Sequence, residues 1–243
     1  MRQWSGKRYW IVGASAGLGR EVARKISATG ATVIVSARSE DDLNSLAEDC
    51  SGAVEVVPMD VASDDSVARA AKAAGHVDGV VFLAGVYWPL KAQEWEVDQV
   101  VRMLDINLTG AARVLGHVVP AMVARDAGHI VICGSLAGFR GLPGAIGYGA
   151  SKAGIMSLAE SLHMDLRKTG VDVQLINPGF IRTRLTDKND IPMPFIMEAE
   201  VAARHFVDHM QTDGFSKSYP RLFASFFRFS QFLPNFLYYR LFG

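Results

Sequence analysis

The chain has 243 residues, enough for one large α/β domain with its own core. Hydrophobic residues make up 49% of it, which excludes a disordered chain, and the formal net charge of zero gives no basic surface for nucleic acid. The only two cysteines, Cys50 and Cys133, are expected to be reduced thiols, as in a cytoplasmic protein.

The N-terminus is mixed and polar, and its first apolar run, residues 10–12, is too short for a signal peptide. No stretch reaches the roughly 18 uncharged apolar residues of a membrane-spanning helix. Short apolar runs at residues 8–12, 32–36, 54–57, 79–83, 129–133 and 172–176 read as strands. Their apolar content is nearly continuous, as in a parallel sheet covered on both faces. Helical spacing occupies residues 18–28, 40–48, 63–74, 97–125, 148–168 and 198–210. Such alternation predicts an α/β fold of Rossmann type: a doubly wound parallel sheet with helices on both faces, in a single domain. We expect a dinucleotide-binding catalytic unit over residues 1–214, including a substrate loop at about 181–200. An aromatic, basic tail at 215–243 follows.

The first strand runs into Gly13-Ala14-Ser15-Ala16-Gly17-Leu18-Gly19, and a helix follows. Glycines there let the backbone turn sharply and approach a pyrophosphate, which then meets the free N–H groups of the helix N-terminus. A cluster of glycines also serves any tight turn, so the signal lies in the strand before it and the helix after it. The second strand ends Ser36-Ala37-Arg38, where an acidic residue would bind the ribose hydroxyls of NAD(H). Arg38 instead supplies a planar cation suited to a 2′-phosphate, and Ser15 a second donor. NADP(H) is therefore expected ahead of NAD(H), the alternative being that Arg38 is a solvated surface charge.

Tyr148 and Lys152 lie one helical turn apart on the same face. A free phenol titrates near pH 10, too high for a base at neutral pH, and a neighbouring cation favours the phenolate. A Tyr-x-x-x-Lys pair alone arises often by chance. Ser135, however, ends the fifth strand, at the carboxyl edge where open α/β sheets bind ligands. Asn107 sits inside the long helical pattern, where an amide is ordinarily solvated or satisfied in the core.

Taken together, these residues resemble the short-chain dehydrogenases/reductases. The resemblance rests on the 13–19 turn, Asp60-Val61, Ala84-Gly85, Asn107, Ser135, Tyr148/Lys152 and Asn177-Pro178-Gly179, in that order, and covers roughly residues 7–185. It implies hydride transfer between a nicotinamide cofactor and a carbonyl or alcohol. It implies that Ser135 polarises the carbonyl and Tyr148 carries the proton. Lys152 would hold the ribose and favour the phenolate, and Asn107 would order a water that links Lys152 to solvent. Gly13, Ser15, Gly17, Leu18 and Gly19 would hold the phosphates, with Asp60 and Val61 beside the adenine. Ala84 and Gly85 would border the cofactor, and Pro178, Gly179, Ile181 and Thr183 the nicotinamide. It further implies a homodimer or homotetramer through the two long helices. Two departures stand out: Val12 precedes the first glycine where the family usually has Thr, and Phe82-Leu83 precede Ala84-Gly85 where it usually has Asn-Asn. The pair reads as an apolar substitute for a polar contact between strands one and four.

The six histidines show no metal-ligand spacing with cysteine, and no metal is expected. Ser135 lies outside a G-x-S-x-G turn, which argues against a hydrolase. Phe139, Leu142, Pro143, Tyr87, Trp88 and residues 192–197 suggest a hydrophobic small-molecule substrate. The alternatives are a nucleotide-sensing scaffold without turnover and an epimerase or dehydratase. The tail carries Lys217, Arg221, Arg228 and Arg240 without any Asp or Glu, and between Pro220 and Asn235 Phe223, Phe226, Phe227, Phe229, Phe232 and Leu233 cover much of the helical surface. It is expected either to pack over the cleft or another subunit, or to make peripheral membrane contact. Pro234 argues against one continuous helix.

Overall fold

The computed structural model describes residues 2–188 and 192–242. Six strands follow the expected apolar runs within a residue or two: β1 Arg8–Val12, β2 Thr32–Ser36, β3 Val54–Val56, β4 Gly79–Phe82, β5 Gly128–Cys133 and β6 Val171–Pro178. A short pair comes next, β7 Ile181–Arg182 with β8 Met197–Glu198, and then β9, Ser216–Tyr219. The main sheet has seven parallel strands in the order β3-β2-β1-β4-β5-β6-β9. Placing β1 and β4 side by side reverses the strand order at the sheet centre and opens a crevice at the carboxyl ends.

The helices are α1 Gly17–Ser27, α2 Glu40–Asp49, α3 Asp64–Ala74, α4 Val97–Leu104, α5 Gly110–Ala124, α6 Ile146–Leu166 and α7 Ala199–Met210. Two more close the chain, α8 Arg221–Ser230 and α9 Asn235–Phe242. Alternate strand residues feed two cores. Trp10, Val12, Ile34, Val80, Phe82 and Ile132 pack against α3, α5 and α6. Ile11, Val33, Val35, Val81 and Val131 pack against α1, α2 and α7. The 97–125 segment, expected as one helix, is broken by a single wide turn at Asp105–Thr109, where the Gly110 N–H reaches back to the Asp105 carbonyl. Val97–Ala124 is long and apolar enough by composition to cross a membrane, but Val114, Leu115, Val118 and Met122 are buried in the core of the sheet.

β9 falls in the stretch read from sequence as tail, yet it hydrogen-bonds along β6 and completes the sheet edge. Pro234 does separate two helices, α8 and α9. Of the expected substrate loop, residues 189–191 lie outside the described residues.

Candidate active site

The phosphate turn is shaped by what it must avoid. Gly13 has φ +93°, and a Cβ there would run into the Ala84 backbone nitrogen. A Cβ on Gly19 would strike the Gly13 carbonyl oxygen, so α1 starts directly against the turn. The helix N-termini differ in a telling way. Ser39 caps α2 through the Asp42 N–H and Ser63 caps α3 through the Ser66 N–H, and each helix opens with acidic residues. α1 has neither a side-chain cap nor an acidic first turn. Its free N–H groups and partial positive charge are therefore left for an anion.

That turn forms one end of a cleft of about 1040 Å³. Gly13, Ser15, Gly17, Leu18, Gly19, Arg38, Asp60, Val61, Ala84, Gly85, Ser135, Tyr148, Lys152, Pro178, Gly179, Ile181 and Thr183 all line it. Of the catalytic and cofactor residues expected from sequence, Asn107 alone is off the wall, fully buried; of the apolar residues expected at the substrate pocket, Tyr87 lines the cleft and Trp88, Phe139, Leu142 and Pro143 do not. Arg38 is exposed just beyond β2, and it lines the cleft together with Ser15 and Ser39. The Asp60 carboxylate accepts the Ala62 N–H at 3.0 Å, and Ser66 Oγ accepts the Asp60 N–H at 3.0 Å, which fixes the turn after β3. A bound dinucleotide fits this cradle: a glycine turn that admits a close backbone approach, uncapped N–H groups at α1 and a basic residue on the same cleft.

At the other end, Lys152 is buried and its Nζ donates to the Cys133 carbonyl at 2.9 Å. The same ammonium lies 5.8 Å from the centre of the Tyr148 ring. Ser135 is buried at the end of β5, and its Oγ accepts the Ala137 N–H at 3.1 Å, leaving its hydroxyl proton free to donate. The wide turn after α4 directs Asn107 inward. There Oδ1 accepts the Val86 N–H at 2.7 Å, while Nδ2 donates to Val86 O and to Ser151 Oγ, each at 3.0 Å. Ser151 Oγ donates in turn to the Tyr148 carbonyl at 2.8 Å. Asn107 thus ties the loop after β4 to the first turns of α6. Wide helical turns of this sort recur where a side chain must be re-aimed.

Several contributors were not singled out in the sequence. Ser151 is the hinge of the Asn107 bracing, and its only signal was its place between Tyr148 and Lys152. Tyr87, by contrast, was expected from sequence at the substrate pocket; it stacks edge-on against Tyr148 with ring centres 4.9 Å apart, and burial, then the Tyr148 phenol, raise its pKa. Lys188 donates to the Tyr87 carbonyl at 3.1 Å and lies 4.6 Å from the Trp88 ring, while Arg184 reaches Asp42 at 3.8 Å. The 183–188 segment therefore spans the cleft mouth. Arg140 fastens the tail beside it. Its guanidinium donates to the carbonyls of Ser230 and Leu233 and to Asn235 Oδ1, at 2.7, 2.8 and 2.7 Å, and sits 3.8 Å over the Tyr238 ring. Sequence spacing gives no hint of a partner so far along the chain. Among the described residues there is no cluster of His, Cys, Asp or Glu able to hold a metal ion.

Comparison with known proteins points one way. A family profile described as short chain dehydrogenase matches residues 7–192. An uncharacterized oxidoreductase of Myxococcus xanthus is 38% identical over 242 residues, covering 97% of this chain and 96% of that protein. A solved short chain dehydrogenase/reductase family protein superposes with a TM-score of 0.82 at 27% identity, over 89% of this chain and 97% of that one. A short-chain dehydrogenase from Streptomyces avermitilis shares the fold over 96% of this chain and 94% of its own, with a TM-score of 0.84 at 23% identity. Nothing in these similarities favours a nucleotide sensor without turnover.

Proposed function

The chain belongs to the short-chain dehydrogenase family and is an NAD(P)-dependent oxidoreductase, and from that premise we propose that it prefers NADP(H) and acts on an apolar carbonyl or alcohol. The observation that carries this is the cleft itself, which holds the uncapped phosphate turn and Arg38 at one end and Ser135, Tyr148 and Lys152 at the other. Gly13, Ser15, Gly17, Leu18 and Gly19 hold the diphosphate, and Arg38 and Ser15 meet the 2′-phosphate. Asp60 and Val61 border the adenine; Ala84, Gly85, Pro178, Gly179, Ile181 and Thr183 flank the rest. When bound, the nicotinamide supplies or accepts the hydride.

The proton is the protein's task. In reduction, the Ser135 hydroxyl donates to the carbonyl oxygen and draws charge onto it. Tyr148 gives its phenolic proton to that oxygen as the alcohol forms, and the Lys152 ammonium stabilises the phenolate left behind. In oxidation each transfer runs backwards. Asn107 orders the water through which Lys152 and Tyr148 regain a proton. Tyr87, Val86 and Leu185 at this end of the cleft support an apolar substrate. Exposed Val97 and Val101 on α4 and Met164 on α6 support assembly as a homodimer or homotetramer through the long helices. The two unpaired thiols support a cytoplasmic setting.

The test is a panel of carbonyls and alcohols read by nicotinamide absorbance. Tyr148→Phe should lower turnover by about 10²–10⁴-fold, with NADPH affinity kept within severalfold. Lys152→Ala should damage both. Near-normal turnover in folded Tyr148→Phe would overturn the mechanism.

A further inference from the structure

α8 has three faces. Ala224, Phe227 and Ser230 are buried, packed with Phe223 against Leu136, Phe139 and Leu142 beside the cleft. Leu222, Phe226 and Phe229 follow one another at intervals of four and three residues, so they share a stripe. That stripe faces solvent: the three are 81%, 48% and 70% exposed. Phe232 at 80% and Phe236 at 76% extend the exposed apolar surface into α9, and Tyr239 and Leu241 are exposed there as well. The third face is basic, with Arg221 and Arg228 exposed on α8 and Arg240 on α9. None of the three arginines is in an ion pair among the described residues. From Gly214 to the last residue the chain contains no Asp or Glu.

We propose that this outer face of α8 and α9 docks on an anionic lipid surface. Isolated exposed apolar residues need no partner, but a continuous run of phenylalanines and leucines does. The arginines select among partners. A second copy of the chain, related by a two-fold axis, would set the same unpaired cations against one another. An anionic bilayer takes both halves at once: arginines among the phosphates, aromatic and leucine side chains at the acyl boundary. The packing face is what fixes the geometry. Arg140 and the Tyr238 hydroxyl, which donates to the Gly141 carbonyl at 2.7 Å, hold the helix pair to the 140–141 segment. Phe223 closes over Gly179, a cleft-lining residue, with its ring within ordinary contact distance of a Cβ built there. Docking therefore anchors the chain beside the wall of the cleft at Gly179. If the apolar substrate of the proposed function holds, it would enter from the bilayer.

The experiment is sedimentation of the full chain, without cofactor or substrate, on vesicles of phosphatidylcholine alone or mixed with phosphatidylglycerol. Wild type should pellet with the mixed vesicles at low salt and much less with phosphatidylcholine. Arg221→Gln/Arg228→Gln should weaken binding by about fivefold per arginine removed. Leu222→Ser/Phe226→Ser/Phe229→Ser should abolish it with at most a small drop in melting temperature, because Leu222 and Phe229 face solvent and Phe226 meets the tail cluster only through the rings of Phe227 and Phe242. Equal partitioning of wild type and the serine variant overturns the proposal. So does wild type that ignores vesicles but falls from a larger to a smaller oligomer in the serine variant, since the occupant is then a second copy. Turnover of a water-soluble carbonyl without vesicles reads the oxidoreductase activity separately, so either conclusion can fail alone.

Discussion

His129 gives a stability signature whose sign and size follow from the structure. It is completely buried on β5, with Nδ1 at 3.0 Å from the Tyr9 hydroxyl and Nε2 at 3.0 Å from Gln174 Oε1. Gln174 Nε2 already donates to the carbonyls of His209, Thr212 and Gly214, so its oxygen can only accept, and the imidazole proton belongs on Nε2. Tyr9 then donates to Nδ1; burial, chiefly, holds its phenol protonated, with a pKa of about 12. Burial likewise pushes the His129 pKa down to about 3, with Arg2 and His209 adding to the shift and the Gln174 bond opposing it. The group is neutral in the fold and charged in the unfolded chain below its ordinary value. The unfolded state thus binds the extra proton, and stability falls as pH falls through that window. Between about pH 7 and pH 5 the loss should be about 2 kcal/mol from this residue alone. His129→Gln keeps a neutral polar partner and removes the titration. Urea unfolding of both proteins across that range should show wild type losing about 2 kcal/mol more than the variant. Contributions from His209 and the carboxylates appear in both and cancel. Parallel pH dependences would refute the reasoning.

Arg38→Asp should move the ratio of kcat/KM values towards NAD(H) by at least about tenfold, since repulsion replaces attraction at the 2′-phosphate. A parent enzyme that already prefers NADH, or an unmoved ratio, would leave Arg38 a surface charge. Arg140→Met removes three charge-assisted hydrogen bonds and the Tyr238 contact, about 3 kcal/mol of local docking. Amide exchange over α8 and α9 should speed up about a hundredfold while the sheet stays protected, and unchanged exchange there would show that Arg140 does not hold the tail.

How much of this was legible depended on what each element had to say in sequence. β2, β4 and most of β1 and β5 are apolar on both faces because helices cover both, so their runs stand out against the loops, whereas Glu55 interrupts β3 and Asp172 and Gln174 interrupt β6. β9 does not: Ser216, Lys217 and Ser218 are polar, and only Tyr219 is buried on this edge strand. The glycine turn and the Tyr148–Lys152 pair announce themselves by spacing. Asn107 does not, because the wide turn that aims it costs only one extra residue in a hydrophobic pattern that runs on through α5. The tail's stripes were visible, but which stripe faces inward depends on contacts with Arg140 and Leu136, residues far away in sequence.

The two departures from the family pattern meet in space. Val12 on β1 and Phe82 on β4 are register partners, both buried, one residue before the phosphate turn and two before Ala84. The Leu83 N–H donates to the Val12 carbonyl at 2.8 Å, and Gly13 presses against the Ala84 backbone. The two strand ends under the cofactor turn are therefore joined by backbone hydrogen bonds and apolar packing. A lone Val12→Thr change would bury a hydroxyl opposite Phe82, in a core that includes Trp10, Ile106 and Ile132. Such a hydroxyl costs about 1–3 kcal/mol unless it finds a partner. A polar side chain at either strand end would need a matching change at the other. The apolar pair is thus a self-consistent way to hold the turn, and it leaves Ser135, Tyr148 and Lys152 untouched.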